Sequence, residues 1–231
     1  MQPSYKHSFR AFICFLTFFI LTSCATAPKT SKQEMPEEII PTAETDKEPL
    51  RTEEEIKSLE TFTEILHITR STQDRQSILP QIENMYKKII KDYPEVPLVQ
   101  ESYWRLIAIY VNDHSPPDYE KAETLYSEFQ KKFPESYAES FIEDELGKSY
   151  YNNGEWSKLM TFTLPTYRDH VEKGINGRAP MIYMYAEANY HLGNLEEAEK
   201  GYQIVSELYP QLIEGKKSKL ILEKMKKAGK Q

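Results

Sequence analysis

The stretch Tyr185-Ala186-Glu187-Ala188-Asn189-Tyr190-His191-Leu192-Gly193-Asn194-Leu195-Glu196-Glu197-Ala198 decides the fold. Apolar residues recur here at spacings of three and four positions, which is typical of amphipathic α-helices. Gly193 interrupts the pattern, and the helical spacing resumes at Ala198 and continues to Tyr202, Val205 and Leu208. Because glycine commonly marks a break between elements, the stretch predicts two helices joined by a tight turn.

Similar hairpin patterns occur earlier in the chain. The matching positions are Leu146, Gly147, Tyr150, Gly154, Glu155 and Trp156 in one copy, Ala122, Tyr126, Phe129 and Pro134 in another, and Tyr86, Ile89 and Pro94 in a weaker one. Gly154 and Gly193 are 39 residues apart, and Pro94 and Pro134 are 40 residues apart. A single hairpin cannot bury its apolar face alone, so repeated hairpins are expected to stack on one another.

The hairpin from Tyr185 to Pro210 resembles the tetratricopeptide repeat, in which small residues such as Ala198 allow two helices to approach closely. The resemblance implies an all-α fold, a tetratricopeptide-repeat superhelix of about four helical hairpins with a concave side. A capping box of Thr52 and Glu55 predicts where the first helix begins. An additional C-terminal helix is expected to cap the last hairpin with Leu220, Ile221 and Met225, while its lysines face solvent.

Two phrases that close helices, Lys91-Asp92-Tyr93-Pro94 and Lys132-Phe133-Pro134-Glu135-Ser136, resemble repeats of the BamD (YfiO) and CpoB (YbgF) families. The resemblance covers about residues 75–225, and pilus-assembly lipoproteins share it. A lipid-attachment motif favours the BamD-like outer-membrane lipoproteins over the CpoB family, whose members are free in the periplasm. A count nearer four repeats than five, and a long tether, distinguish the chain from the BamD family.

That motif is Leu21-Thr22-Ser23-Cys24, which follows a basic head with Lys6 and Arg10 and an apolar run at residues 11–21. The run of 11 residues is shorter than the roughly 17 to 25 needed to span a bilayer, so it is typical of a signal peptide. The motif resembles the bacterial lipobox. The resemblance implies a lipoprotein signal peptide at residues 1–23, cleavage before Cys24, and covalent diacylglycerol and N-acyl lipid on Cys24. No other cofactor is expected.

Residues 24–50 are predicted to be the lipidated cysteine and a disordered tether, followed by the repeat domain at residues 51–231. Residues 25–50 contain no aromatic residue and no glycine, so they cannot bury enough apolar area to fold. A flexible chain of this length reaches on the order of 30 Å. The formal charge of −7 becomes −9 once Lys6 and Arg10 are removed with the signal peptide, which disfavours nucleic acid as a partner.

The sequence offers no support for an enzyme. Its five histidines stand at no metal-ligand spacing from another histidine or a cysteine, and no metal site is expected. Asp169 and His170 are the nearest approach to a catalytic pair, yet neighbouring residues on a helix point in different directions. No phosphate-binding loop or hydrolase motif occurs, so no catalytic residue and no small-molecule substrate is predicted.

Binding of protein partners is the remaining function, and in tetratricopeptide folds the first helix of each hairpin lines the groove. Family positions carried onto this sequence nominate six partner-binding residues: Trp104, Lys148, Tyr151, Tyr183, Glu187 and Tyr190. The alternative is that several of these aromatic residues belong to the core. Asp144 and Tyr183 stand where the family's carboxylate-binding lysines would be expected, so a C-terminal carboxylate is disfavoured as ligand.

The expected role is a membrane-anchored periplasmic scaffold for protein partners of an envelope assembly machine, such as the one that assembles outer-membrane proteins. The alternatives are a pilus or envelope-assembly lipoprotein, and an accessory that binds peptidoglycan or another glycan. Ala25 follows the cysteine, which by resemblance to the sorting rule of enteric bacteria favours the outer membrane with the domain in the periplasm. In a Gram-positive host the location would be the outer leaflet of the plasma membrane.

Overall fold

A computed structural model describes residues 51–228 of the chain. All of them fall within one compact unit, Glu48–Gln231. The predicted signal peptide at residues 1–23, the lipid-attachment residue Cys24 and the predicted tether up to residue 50 lie outside the described residues.

Residues 51–228 form nine α-helices and no strand. The helices are α1 (Glu53–Ser71), α2 (Arg75–Asp92), α3 (Leu98–Asn112), α4 (Tyr119–Lys132), α5 (Glu139–Asn152), α6 (Trp156–Lys173), α7 (Ala179–His191), α8 (Leu195–Leu208) and α9 (Ile213–Ala228). Helices α1 to α8 pair consecutively into four hairpins, and α9 packs against α7 and α8. The predicted all-α superhelix of about four hairpins with a C-terminal helix is confirmed for this part of the chain. None of these helices is both long and apolar enough to cross a membrane.

The helix ends follow local rules that the sequence displays. The Thr52 hydroxyl accepts a hydrogen bond from the Glu55 amide at 3.1 Å, and the Glu55 carboxylate accepts one from the Thr52 amide at 2.7 Å. This is the predicted capping box, and it satisfies two amides that the first turn of α1 leaves without partners. Gly154 and Gly193 make the tight turns of the third and fourth hairpins at φ values of 71° and 82°, which favour glycine.

Small residues set how closely the helices pack. A Cβ atom on Gly201 of α8 would lie 2.9 Å from the Cβ atom of Ala186 on α7, and one on Gly147 of α5 would lie 3.0 Å from the Met184 sulfur. Ala198 is fully buried at the same α7–α8 contact. The predicted role of small residues at close helix approaches is therefore confirmed at Gly147 and Ala198.

The C-terminal helix caps the last hairpin with a face shifted from the predicted one. Ile221 and Met225 are partly buried against the core of the fourth hairpin, as expected, and Leu222 is buried beside them. Leu220 is 58% exposed, so its predicted capping role is wrong. The inward face of α9 follows Ser218, Leu222 and Met225 at helical spacing, which turns Leu220 to the opposite side.

Replacing Phe129 with alanine should lower the free energy of unfolding by about 3–5 kcal/mol, because it empties a fully buried site that cannot collapse completely. The Phe129 ring centroid lies 5.6 Å from that of Tyr103 and 5.3 Å from that of Phe133, so these two rings lose a packing partner. Urea unfolding followed by circular dichroism measures the change. Lys131→Ala, an exposed substitution on the same helix, is the matched control and should stay within about 0.5 kcal/mol of the unsubstituted chain.

Candidate functional site

The first helices of the hairpins contact one another directly. α1 packs against α3, α3 against α5, α5 against α7, and α7 against α9. We call the surface formed by α1, α3, α5 and α7 the groove face. It is the surface on which the family resemblance places partner-binding residues.

An aromatic cluster of Trp104, Tyr137 and Phe141 lies where α3 and α5 pack together on the groove face. The rings of Trp104 on α3 and Phe141 on α5 stack with centroids 5.1 Å apart and an angle of 27° between their planes. Phe141 is 45% exposed and Tyr137, in the preceding loop, is 83% exposed. These three side chains line a shallow cleft of about 290 Å³.

Polar contacts hold this cluster in place. The Ser136 hydroxyl donates a hydrogen bond of 2.5 Å to the Gln100 side chain, which fixes the loop before α5 on α3. The guanidinium of Arg105 lies 4.3 Å from the Trp104 ring centre, at cation–π distance, and also pairs with Glu101 at 3.1 Å. The indole nitrogen of Trp104 is buried and makes no hydrogen bond within residues 51–228.

Arg178 occupies the middle of the groove face. It donates to the carboxylate of Asp144 and, at 2.7 Å, to that of Glu143, and it thereby joins the segment before α7 to α5. Burial raises the pKa of Glu143, and the charge of Arg178 opposes that rise. Lys148 is exposed and lies 4.0 Å from Asp144. Asp144, at one of the two positions where a carboxylate ligand would need a lysine, is thus paired with Arg178.

A buried carboxylate surrounded by tyrosines lies at the far end of the groove face. The Tyr202 hydroxyl donates to one oxygen of Glu187 at 2.7 Å, and the Tyr151 hydroxyl donates to the other at 3.1 Å. The Tyr183 ring is 6.0 Å from that of Tyr202. Burial, with the nearby Glu187 charge, raises the pKa of Tyr151, Tyr183 and Tyr202. We call these four residues the Glu187 cluster.

The Glu187 cluster opens into a cleft of about 990 Å³ between α7, α8 and the last turns of α9. We call it the terminal cleft. Glu187 and Tyr202 are its most buried lining residues, and Tyr190, which is 43% exposed, stands at its wall. Beside it, His191 stacks on Trp156 with ring centroids 3.9 Å apart, which fixes the end of α7 against the start of α6.

The structure separates the six nominated residues into two groups. Trp104 is the one nominated residue in the aromatic cluster. Tyr151, Tyr183 and Glu187 come together in the Glu187 cluster. Tyr190 lies at the terminal cleft, and Lys148 is exposed beside Asp144. Tyr183 and Glu187 are buried, so the alternative that some nominated residues belong to the core describes these two. Partner contact stays a prediction for all six.

Three residues of the groove face were not nominated from the sequence. Phe141 lies three positions before Asp144, on the same helix face, so the helical period could have found it. Tyr137 and Arg178 lie in connecting segments, where helical spacing gives no signal. The role of Arg178 depends on its contacts with Asp144 and Glu143, which are 34 and 35 positions away.

His170 and Asp169 each contact a different partner. His170 shares a hydrogen bond of 3.1 Å with the Ile175 carbonyl, and Asp169 pairs with Lys173 at 2.7 Å, so the two neighbours do not contact each other through their side chains. Within residues 51–228 no group of three or more histidine, cysteine or acidic side chains is placed to hold a metal ion.

The fourth hairpin carries the likeness to known proteins. Residues 181–211, which span α7 and α8, match the tetratricopeptide repeat family. No curated protein and no solved structure matches the chain. The family match and the four stacked hairpins together define a tetratricopeptide-type helical superhelix. Domains of this class generally act as non-enzymatic scaffolds for protein–protein interaction.

Proposed function

We propose that this chain is a lipid-anchored periplasmic scaffold that binds protein partners through its groove face. The observation that carries the proposal is the aromatic cluster of Trp104, Tyr137 and Phe141, in which Tyr137 and Phe141 are exposed beside the half-buried Trp104. Aromatic residues and arginine are enriched at the centres of protein interfaces, where they contribute most of the binding energy. Arg105, stacked beside Trp104, adds to this composition.

The rigidity of the cluster supports the same role. The rings of Trp104 and Phe141 are held by two helices, and the Ser136–Gln100 hydrogen bond fixes the loop before α5, so binding would cost little side-chain entropy at these two rings. The cleft beside them is shallow, with a volume of about 290 Å³. That is near the lower limit for small-molecule sites, and it suits one or two side chains of a protein partner better than a metabolite.

The anchor belongs to the same proposal, and its support comes from the sequence. Cys24 follows a basic head, a short apolar run and small residues, in the register of a lipobox. A single acyl chain anchors a protein only marginally, whereas two or more anchor it stably. Three chains on Cys24, with 26 residues before Arg51, would restrict partners to those within about 30 Å or somewhat more of the membrane.

The finer proposal is a BamD-like role at the outer membrane, in the machine that folds β-barrel proteins. Its support is the resemblance of the helix-closing phrases at Lys91–Pro94 and Lys132–Ser136, together with Ala25 after the cysteine. Pull-down of the lipidated protein from detergent-solubilised membranes tests it. Capture of barrel-assembly proteins is the expected result. Capture of secretin or pilin components, or saturable binding to purified sacculi without protein partners, would contradict it.

A further inference from the structure

Glu187 is a buried carboxylate that forms no ion pair with any cation of residues 51–228. It is only 7% exposed, and the ion pairs within residues 51–228 join other carboxylates, such as Glu196 and Glu197 with Lys200. Tyrosine hydroxyls satisfy both of its oxygens as hydrogen-bond acceptors. Hydrogen bonds from neutral donors do not cancel the charge, and a buried charge without a counter-ion is costly.

The charge is accessible from one side. Glu187 and Tyr202 line the terminal cleft, whose volume of about 990 Å³ is ample for a long side chain with its flanking backbone. Glu196 and Glu199 stand on the α8 wall, and the exposed ring of Tyr190 stands on the α7 wall. The cleft thus combines a desolvated carboxylate with an aromatic face.

These features indicate which chemical class of ligand the terminal cleft would bind. An organic cation pairs with a carboxylate through charge-assisted hydrogen bonds and stacks on an aromatic ring. A bare metal ion would need several oxygen or nitrogen ligands, and residues 51–228 hold no such group. Guanidinium is more weakly hydrated than ammonium, is planar, and stacks on aromatic faces, so it suits a partly buried site of this shape best.

We propose that the terminal cleft binds an arginine side chain of a protein partner, whose guanidinium pairs with Glu187 and stacks on Tyr190. The proposal rests on the proposed function, since it supposes a protein partner at the groove face. It assigns that partner a basic segment at the terminal cleft, between α7, α8 and α9. The surplus negative charge of the chain, −7 over the full sequence, is complementary to such a segment.

Two lysines on the wall of the terminal cleft repel a bound cation. Lys224 and Lys226 line the α9 wall of the terminal cleft, and both side chains are exposed. Solvent screens their charges more than it screens the buried charge of Glu187. Their repulsion still lowers the affinity for a cation, so Lys224→Gln should bind an arginine ligand at least as tightly as the unsubstituted chain.

The test uses a defined probe and a reporter inside the cleft. Met225 lines the terminal cleft, whereas Met85 packs in the first hairpin. The full chain is labelled on methionine methyl groups, purified in detergent, and titrated with N-acetyl-arginine amide while methyl resonances are followed by NMR. The neutral isostere N-acetyl-citrulline amide is titrated in parallel. The arginine amide should shift the Met225 resonance saturably with Met85 unchanged, and the citrulline amide should not.

Glu187→Gln keeps the shape of the side chain, removes the charge, and should weaken binding of the arginine amide at least about tenfold. Glu207→Gln, an exposed substitution on α8 outside the cleft, should leave binding unchanged. If Glu187→Gln fails to fold, Tyr190→Ala replaces it, and weaker binding is again expected. An unmoved Met225 resonance, equal binding of citrulline amide, or unchanged affinity in whichever of these variants folds overturns the proposal. Such a result would not contradict binding of a protein partner through the aromatic cluster, because that binding is tested by a different experiment.

Discussion

Raising the pH above 10 should unfold residues 51–228 over a narrow pH interval. Burial raises the pKa of nine tyrosines that are less than a tenth exposed, and the rise is largest for five of them: Tyr126, Tyr150, Tyr167, Tyr183 and Tyr202. For Tyr167 the pKa rises to about 12, and a neighbouring Glu197 carboxylate contributes to the rise. In an unfolded chain the tyrosine pKa is about 10.

The direction of the change in stability depends on which state releases the phenolic protons first. Below pH 10 both states keep the phenolic protons, and stability is unaffected. Above pH 10 the unfolded chain releases them while the folded chain retains them, so each such tyrosine lowers the free energy of unfolding by about 1.4 kcal/mol per pH unit. These five together give a slope of about 7 kcal/mol per pH unit, against a total stability of about 5–15 kcal/mol. We expect the midpoint at about pH 11 to 12.

Circular dichroism and tyrosinate absorbance, recorded on the same samples, measure this transition. Loss of helix and ionisation of the buried hydroxyls should coincide. Tyr202→Phe removes one titrating group and should reduce the slope by about 1.4 kcal/mol per pH unit, although it also removes a donor to Glu187 and lowers stability at neutral pH. Complete tyrosine ionisation near pH 10 with the helices intact would show that these hydroxyls are not buried as described.

Cys24→Ser should abolish lipidation of the protein, and any of this variant that is processed to the mature size should leave the membrane fraction. Serine keeps the size and polarity of the position but lacks the thiol on which diacylglycerol is placed, so neither cleavage before residue 24 nor N-acylation follows. The expected result is that the unsubstituted chain is found in the membrane pellet and incorporates labelled palmitate, whereas Cys24→Ser incorporates none. Cell fractionation with immunoblotting and metabolic labelling measure both.

Cys14→Ser is the matched control, because Cys14 lies inside the predicted signal peptide and is the chain's other cysteine. It should leave both the membrane location and the labelling unchanged. A Cys24→Ser protein that is processed to the mature size and still sediments with membranes would contradict the lipid anchor. That result would not contradict the fold or the proposed binding at the groove face.

Local sequence rules were sufficient to predict most of the fold. Glycine and proline at spacings near 39 residues marked the hairpins, and the Thr52–Glu55 capping box marked the start of α1. Each of these signals depends on residues close together in the chain, and tetratricopeptide hairpins contact mainly their neighbours. The face of α9 was harder to predict because Leu220, Ile221 and Leu222 are adjacent apolar residues, so periodicity alone does not say which one turns inward.

The candidate sites depend on contacts that the sequence does not display. Trp104 and Phe141 come from different hairpins, and their stacking requires α3 and α5 to lie side by side. Glu187 was nominated at a groove position, where a charged side chain is expected to be solvated. Tyr202 on α8 and Tyr151 on α5 bury it instead, so its role could be assigned only once three helices were placed.

Binding of a protein partner at the groove face is tested most directly by site-specific photocrosslinking. A photoreactive amino acid placed at Tyr137, the most exposed residue of the aromatic cluster, should give a discrete crosslinked product in cells. Trp104→Ala, introduced with it, should abolish that product without loss of folding. The matched probe at Lys131, which is exposed on α4, the helix that pairs with α3, should give no crosslinked product. Equal crosslinking from both positions, or a product that survives Trp104→Ala, would contradict binding at the groove face.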